Sequence, residues 1–388
     1  MNKKDIGAFK RQLKDDGEVN ITQICRIFSM GESKEIIHKE TSLFSSCDEA
    51  EQALYFVNFR KMLTGVIDSK VFEFPFKAQN DGDSLGQAFL YEMLTEESVA
   101  AFEARAVALM EKINENCAYE SDVVGNFVKA EYNKPFKRKG RPGEDDFEGA
   151  DDTVYKMKFI LCSINKISNS DKSVRFDYRD RRFSISQDLN AVVNLNAPLE
   201  GFMFPSISED AVDVNRLVYS AQKSDQINFA LLENVLNCEI TLTAKEEKER
   251  FDGIIKVMVK DKIKPELIKN IYETIDKMIQ VNETEEEVTV EFDYIEKVLN
   301  ANGIDTAKFK EVASDIAGEV RNFKTANILP GYRKKSLKIS TSVADIAISP
   351  ENLDMIRQVI DESGRKCLLI EIDEDIEING IRMAVEKL

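Results

Sequence analysis

Ala197–Asn215 reads APLEGFMFPSISEDAVDVN, and its centre, Gly201–Pro205 (GFMFP), is an apolar island in an acidic chain. In an extended strand Phe202 and Phe204 point to one face and Met203 to the other. Removing the two rings from water contributes roughly 2–3 kcal/mol each. The stretch therefore reads as core strand rather than as pocket wall or partner-binding patch. The runs before it share its texture. VYKMKFILCSINKI, SVRFDY, RFSIS and NAVVNL are short β-prone runs separated by Asp, Asn and Ser. They predict an antiparallel sheet over residues 153–240.

Upstream, residues 1–132 read as a mixed region. Ile6, Phe9 and Leu13 are spaced for one face of a short helix. ITQICRIFSM and KEIIHKETSLF flank the turn MGESK as a hairpin. A helix follows, with Leu54, Val57, Phe59 and Met62 as its apolar stripe and Gly65 as its stop. VFEFPF (Val71–Phe76) is a strand whose Pro75 points to a sheet edge. Residues 85–116 carry a helical pattern. NKPFKRKGRPGEDDFEGADD is basic and then acidic, with Pro and Gly between, and predicts a charged, mobile linker over residues 133–152 that ends a domain.

Downstream of the sheet, SDQINFALLENVL predicts a helix capped by Ser224. Residues 241–388 predict a helical hairpin followed by a strand-rich tail. Its first helix is capped by Thr243 and carries the stripe Phe251, Ile254, Ile255, Met258, Val259. Pro265 opens the second at the position where a missing N–H costs nothing. FDYIEKVLNANGI ends at Gly303 as a C-cap, and the next helix is capped by Asp305. SLKIS, VADIAIS, CLLIEI and DIEING are strands. The fold class is α+β.

Composition narrows the chemistry. The chain has 388 residues, 43% hydrophobic and 32% charged, enough for two or three domains with buried cores. No apolar run reaches the length needed to span a bilayer, and MNKKDIGAFKRQ lacks a signal peptide's apolar segment. The first helix is too short and mixed for a membrane anchor. No membrane association and a cytoplasmic location are expected. A net charge of −17 opposes bulk coating of nucleic acid. The six cysteines are scattered singly, which argues against structural zinc and fits a reducing compartment. With His38 alone, within a strand pattern, no site with several histidines can form inside one chain. Neither a GxxxxGK[ST] nor a GxGxxG cradle occurs, and no cofactor is expected.

Two kinds of candidate site remain. Lys134, Lys137, Arg138, Lys139 and Arg141 form a basic cluster that would hold phosphates, with Phe136 to stack on a base. The acidic half of the same segment competes for those charges, so a self-screened, solvated loop is the favoured reading. Arg179, Arg181 and Arg182 in DYRDRR read as a turn with surface ion pairs. Asp177 with Asp180, or Asp373 with Asp375, are the carboxylates that would take a divalent metal. Solvated strand faces account for the same residues.

Four blocks carry a resemblance: MNKKDIGAFKRQLKDDGEVNITQIC, VYKMKFILCSI, APLEGFMFPSISEDAVDVNRLVYSA and SGRKCLLIEIDEDIEINGI. In this order they resemble the bacterial domain-of-unknown-function family 4317 over nearly the whole chain. The chain departs from the family's pattern in carrying NKI after CSI, where a Cys-Pro pair is expected, and SED after the GFMFP block, where an Asp-Arg pair is expected. The resemblance implies a bacterial cytoplasmic protein and brings no catalytic residues. The order of elements is also similar in layout to the nucleoid-associated protein family, without a shared motif. Three functions follow as expectations: a non-catalytic interaction or assembly protein that binds itself or another protein; a nucleic-acid-binding protein; and a carboxylate-metal enzyme.

Overall fold

The computed structural model describes residues 3–78, 85–135, 154–169, 173–177, 182–186, 191–208, 211–259, 265–281, 288–318, 320–329, 337–341, 343–373, 376–378, 381–382 and 384. Its contacts divide the chain into two units, residues 1–243 and 244–388.

The first unit contains α1 (Lys3–Gln12), β1 (Val19–Ser29), β2 (Ile36–Leu43), α2 (Glu49–Met62), β3 (Val71–Pro75), α3 (Gly86–Thr95) and α4 (Val99–Asn116). After them come β4 (Val123–Pro135), β5 (Val154–Asn169), β6 (Ser173–Asp177), β7 (Arg182–Ser186) and β8 (Ala191–Phe204). The short strands β9 (Ser206–Ile207) and β10 (Val212–Asp213) precede β11 (Arg216–Ser220). Seven of these strands form one antiparallel sheet in the order β2-β1-β4-β5-β8-β11-β3. Gly201–Phe204 of GFMFP lie at the end of β8, inside the sheet, and Pro205 follows it. Phe202 and Phe204 belong to the core under α3, α4 and a turn at Ala230–Val235. Met203 belongs to the core under α1 and α2. Because helices cover both faces, the strand is apolar on both sides rather than alternating.

β4 and β5 pair from Val123 to Pro135 and from Val154 to Lys166. The stretch expected as an interdomain linker thus joins two neighbouring strands of one sheet, and residues 136–153 lie outside the described set. The division of the chain falls instead after Thr243. The long helical pattern over residues 85–116 is broken into α3 and α4, with the Ser98 hydroxyl accepting from the Ala101 N–H to start α4. The helix expected from Ser224 is reduced to one π-helical turn, Ala230–Val235. Asp225 adopts a positive φ of 60° and gives its N–H to Ser69 O, so the backbone before the turn is bound to another segment.

The apolar stripe of α2 is rotated from the one expected. Leu54 is 48% exposed, whereas Tyr55, Asn58, Phe59 and Met62 are buried. The reason is a transverse polar row on the sheet face beneath it. Glu40, Arg26, Asn126, Ser163, Gly201 and Ser220 are successive cross-strand partners from β2 to β11. Directly opposed residues share a face. Glu51, Tyr55, Asn58 and Met62, at i, i+4, i+7 and i+11, share the helix face that meets this row. Glu51 pairs with Arg26, the Asn58 amide donates to Leu195 O at 2.7 Å, and Met62 fills the space above Gly201. Asn126 donates to Ser163 and Asn165 at 3.3 and 3.0 Å.

The second unit opens with the expected helical hairpin, α5 (Ala244–Val259) and α6 (Pro265–Val281). β12 (Thr289–Glu291), α7 (Phe292–Ala301), α8 (Phe309–Ala317), β13 (Asn322–Lys324) and α9 (Thr325–Ile328) complete its packed part. Phe251, Ile254, Ile271, Ile275, Phe292, Leu299, Phe309 and Phe323 are core residues there. The buried Glu247 carboxylate accepts from the Lys324 N–H at 3.2 Å and the Asn327 amide at 3.0 Å, tying β13 and α9 to α5. Asp305 accepts from the Ala307 N–H in a turn ahead of α8 rather than at its first residue. The tail forms separate hairpins: β14 (Leu337–Ser340) with β15 (Asp345–Ile348), β16 (Ile356–Ile360) with β17 (Lys366–Ile370), and β18 (Glu377–Ile378) with β19 (Ile381–Arg382). β16 and the 3-10 turn Pro350–Met355 before it were not expected from the sequence pattern.

Candidate functional site

Most of the carboxylates and cations singled out from sequence lie outside the described residues. Lys134 lies near the end of β4, opposite Tyr155; Lys137, Arg138, Lys139 and Arg141 lie outside the described residues. Asp177 ends β6 opposite Arg182, and Asp180 and Asp375 lie outside the described residues. Asp373 is exposed. Among the described residues no three His, Cys, Asp or Glu side chains are grouped to hold a metal ion. A recess of ≈ 190 Å³ in the second unit is lined by Phe251, Asp252, Ile255, Lys256, Ile271 and Tyr272. Ligand pockets usually exceed about 300 Å³.

The densest polar chemistry lies where sequence reasoning placed only core. Glu200, the residue before GFMFP, is buried on the α4 face of β8. It shares that face with Phe202 because alternate residues of a strand do so. Three donors converge on it. The Tyr119 hydroxyl donates to Oε1 at 2.7 Å, the Asn228 amide to Oε1 at 2.8 Å, and the Tyr219 hydroxyl to Oε2 at 2.9 Å. Tyr219 comes from β11, beside β8, and Tyr119 from the segment that follows α4. Asn228 stands before the π-helical turn, and its own Oδ1 caps that turn by accepting from the Leu231 N–H at 3.2 Å. The Asn228 N–H in turn donates to the Tyr219 hydroxyl at 3.1 Å.

Burial holds the Glu200 carboxyl above the usual range, against the pull of its three donors. The Cys117 thiol, at the end of α4, is pushed up to about 12 by burial, with the Glu200 charge adding to it. Burial also raises the Cys162 thiol and both phenols, again with Glu200 reinforcing the effect. These thiols and phenols keep their protons at physiological pH, so Glu200 is the first acid of the cluster to ionise as pH rises. The signal in the sequence was a single charged residue in the apolar run PLEGFMF. The residues that answer it are far apart in the chain, and nothing local marks them.

A helix-covered antiparallel sheet with a buried carboxyl on one of its inner strands, followed by a helical unit with a hairpin tail, defines an α+β protein. The chain belongs to the family described as Domain of unknown function (DUF4317), whose model matches residues 1–381. No curated protein and no solved structure matches it. No helix among the described residues is long and apolar enough to cross a membrane.

Proposed function

We propose that the protein acts as a non-catalytic interaction or assembly module, with the hairpin β16–β17 as the contact surface and a second copy of the chain as its first partner. The observation that carries this reading is the exposed apolar content of a two-stranded hairpin that pairs with no further strand among the described residues. The main core cluster of the second unit lies between Phe251 and Leu329, and in the tail Leu353 and Ile356 are buried as well. Beyond them Ile360 is 70% exposed and Ile372 54%, with Ile370 and Ile376 also exposed. Val359, Cys367, Leu368 and Leu369 are only half-buried. A two-stranded hairpin is marginal by itself in water and is stabilised by packing against another surface. The reading carries with it a bacterial cytoplasm, in which six unpaired cysteines stay reduced.

Light scattering at micromolar concentration is expected to give a mass above that of one chain, and Ile360→Glu with Ile370→Glu to return it to one chain without loss of helical circular dichroism. Two copies of a chain carrying −17 repel each other, so association should strengthen as salt screens them. Binding to nucleic acid would weaken with salt instead. A wild-type chain that stays single at all salt concentrations and cross-links to no partner in cells would sink the proposal.

A further inference from the structure

We propose that Glu200 is a proton-operated latch on the turn Asn228–Val235: its charge state decides how firmly that turn is held on the sheet. The polarity of the hydrogen bonds is determined by the geometry. Asn228 Oδ1 is occupied by the Leu231 N–H, so its amide nitrogen faces Glu200. Tyr219 accepts from the Asn228 N–H, so its single proton goes to Glu200. Both links from Asn228 to the sheet therefore end on one carboxyl, one directly and one through Tyr219.

Among the described residues, the groups facing Glu200 are all neutral. Cys117 and Tyr119 come from the end of α4 and the segment after it, Cys162 from β5, Tyr219 from β11 and Asn228 from the turn. Lys34 reaches only as far as Cys117 electrostatically and gives a hydrogen bond to Glu115 O. An ionised Glu200 thus satisfies all three donors but bears its charge in a low-dielectric setting without a counter-ion. A protonated Glu200 loses that penalty. Its new O–H then competes for the phenol oxygens, and Tyr119, whose other side-chain partner is the Cys117 thiol, can turn to accept it.

The ionised form gains most by admitting water, and the turn, with Tyr119, is part of what covers it. Asn228 is half-buried and Phe229 is 53% exposed, while Leu231, Leu232 and Val235 are buried beneath them. The raised carboxyl sets the sign. A folded pKa above the unfolded value means that stability is fully present below about pH 4.5 and falls as pH rises through the folded pKa. Opening the turn would uncover Leu231, Leu232 and Val235 as an apolar surface.

Hydrogen exchange of the full chain, corrected for intrinsic rates, tests this between about pH 4 and about pH 8, a range that starts below the unfolded carboxyl's value. Protection of residues 228–236 is expected to fall with rising pH, by about tenfold for each unit by which the folded pKa exceeds the unfolded one. Glu200→Gln should flatten that dependence while β4 and α5 are unchanged. Tyr119→Phe removes one donor to the ionised form and should move the midpoint to higher pH. A wild-type profile without pH dependence, or the same dependence in Glu200→Gln, overturns the proposal. If Glu200→Gln does not fold, an unmoved midpoint in Tyr119→Phe overturns it equally.

Discussion

Phe204→Ala is expected to lower the stability of the N-terminal unit by about 3–5 kcal/mol. Phe204 is fully buried in β8 and meets the Phe76 ring edge-on with centroids 5.6 Å apart. Truncation removes the transfer free energy of a phenyl ring and leaves a cavity among Ile160, Leu217 and the turn above them, which are held by the sheet and cannot close over it. The chain has no tryptophan, so a urea melt followed by tyrosine fluorescence and near-ultraviolet dichroism is the suitable measurement. The two units need not unfold together, and the transition to score is the one that reports Tyr119 and Tyr219. If stability were unchanged while a partner interaction disappeared, GFMFP would be a docking patch and not core.

Gly201→Ala is expected to cost about 3 kcal/mol or more, the upper end for overpacking a closed core. A Cβ at this position would overlap the Cys162 carbonyl oxygen of the neighbouring strand and the Met62 sulfur of α2. The methionine can move and the carbonyl, bound into the β5–β8 ladder, cannot. Met62→Ala in the same chain should therefore recover only a minor part of the loss. A full recovery, read in the same urea melt, would show that the helix side chain and not the sheet backbone sets the limit. The position also explains why a glycine interrupts a strand otherwise filled with large side chains: it is the gap in the polar row that lets α2 approach the sheet.

The two substitutions separate what local pattern reveals from what it hides. The alternation of Phe202, Met203 and Phe204 was legible, as were the hairpin β1–β2, the edge position of Pro75 and the helical hairpin α5–α6, because periodicity and turn residues act over a few neighbours. The phase of α2 was not legible. Its apolar residues lie nearly all round, and only the polar row of Arg26, Asn126 and Ser163 beneath it selects the face with Glu51 and Asn58. The helix expected at 224–236 failed for the same kind of reason. Its first residues are claimed by Ser69 and Tyr219, which no local rule can anticipate.

Glu200 is the sharpest instance. Its sequence neighbours announced a buried strand, and a charge in that strand asked for partners. By itself the sequence determined the α+β class, the acidic surface, the family and the burial of GFMFP, because composition and short-range alternation are local properties of the chain. The tertiary structure alone decided that β4 and β5 join across residues 136–153 in one sheet, and that Tyr119, Tyr219 and Asn228 meet on one carboxyl. Strand order and register bring together residues separated by up to about a hundred positions, and it is their shared burial, not their spacing, that makes the cluster.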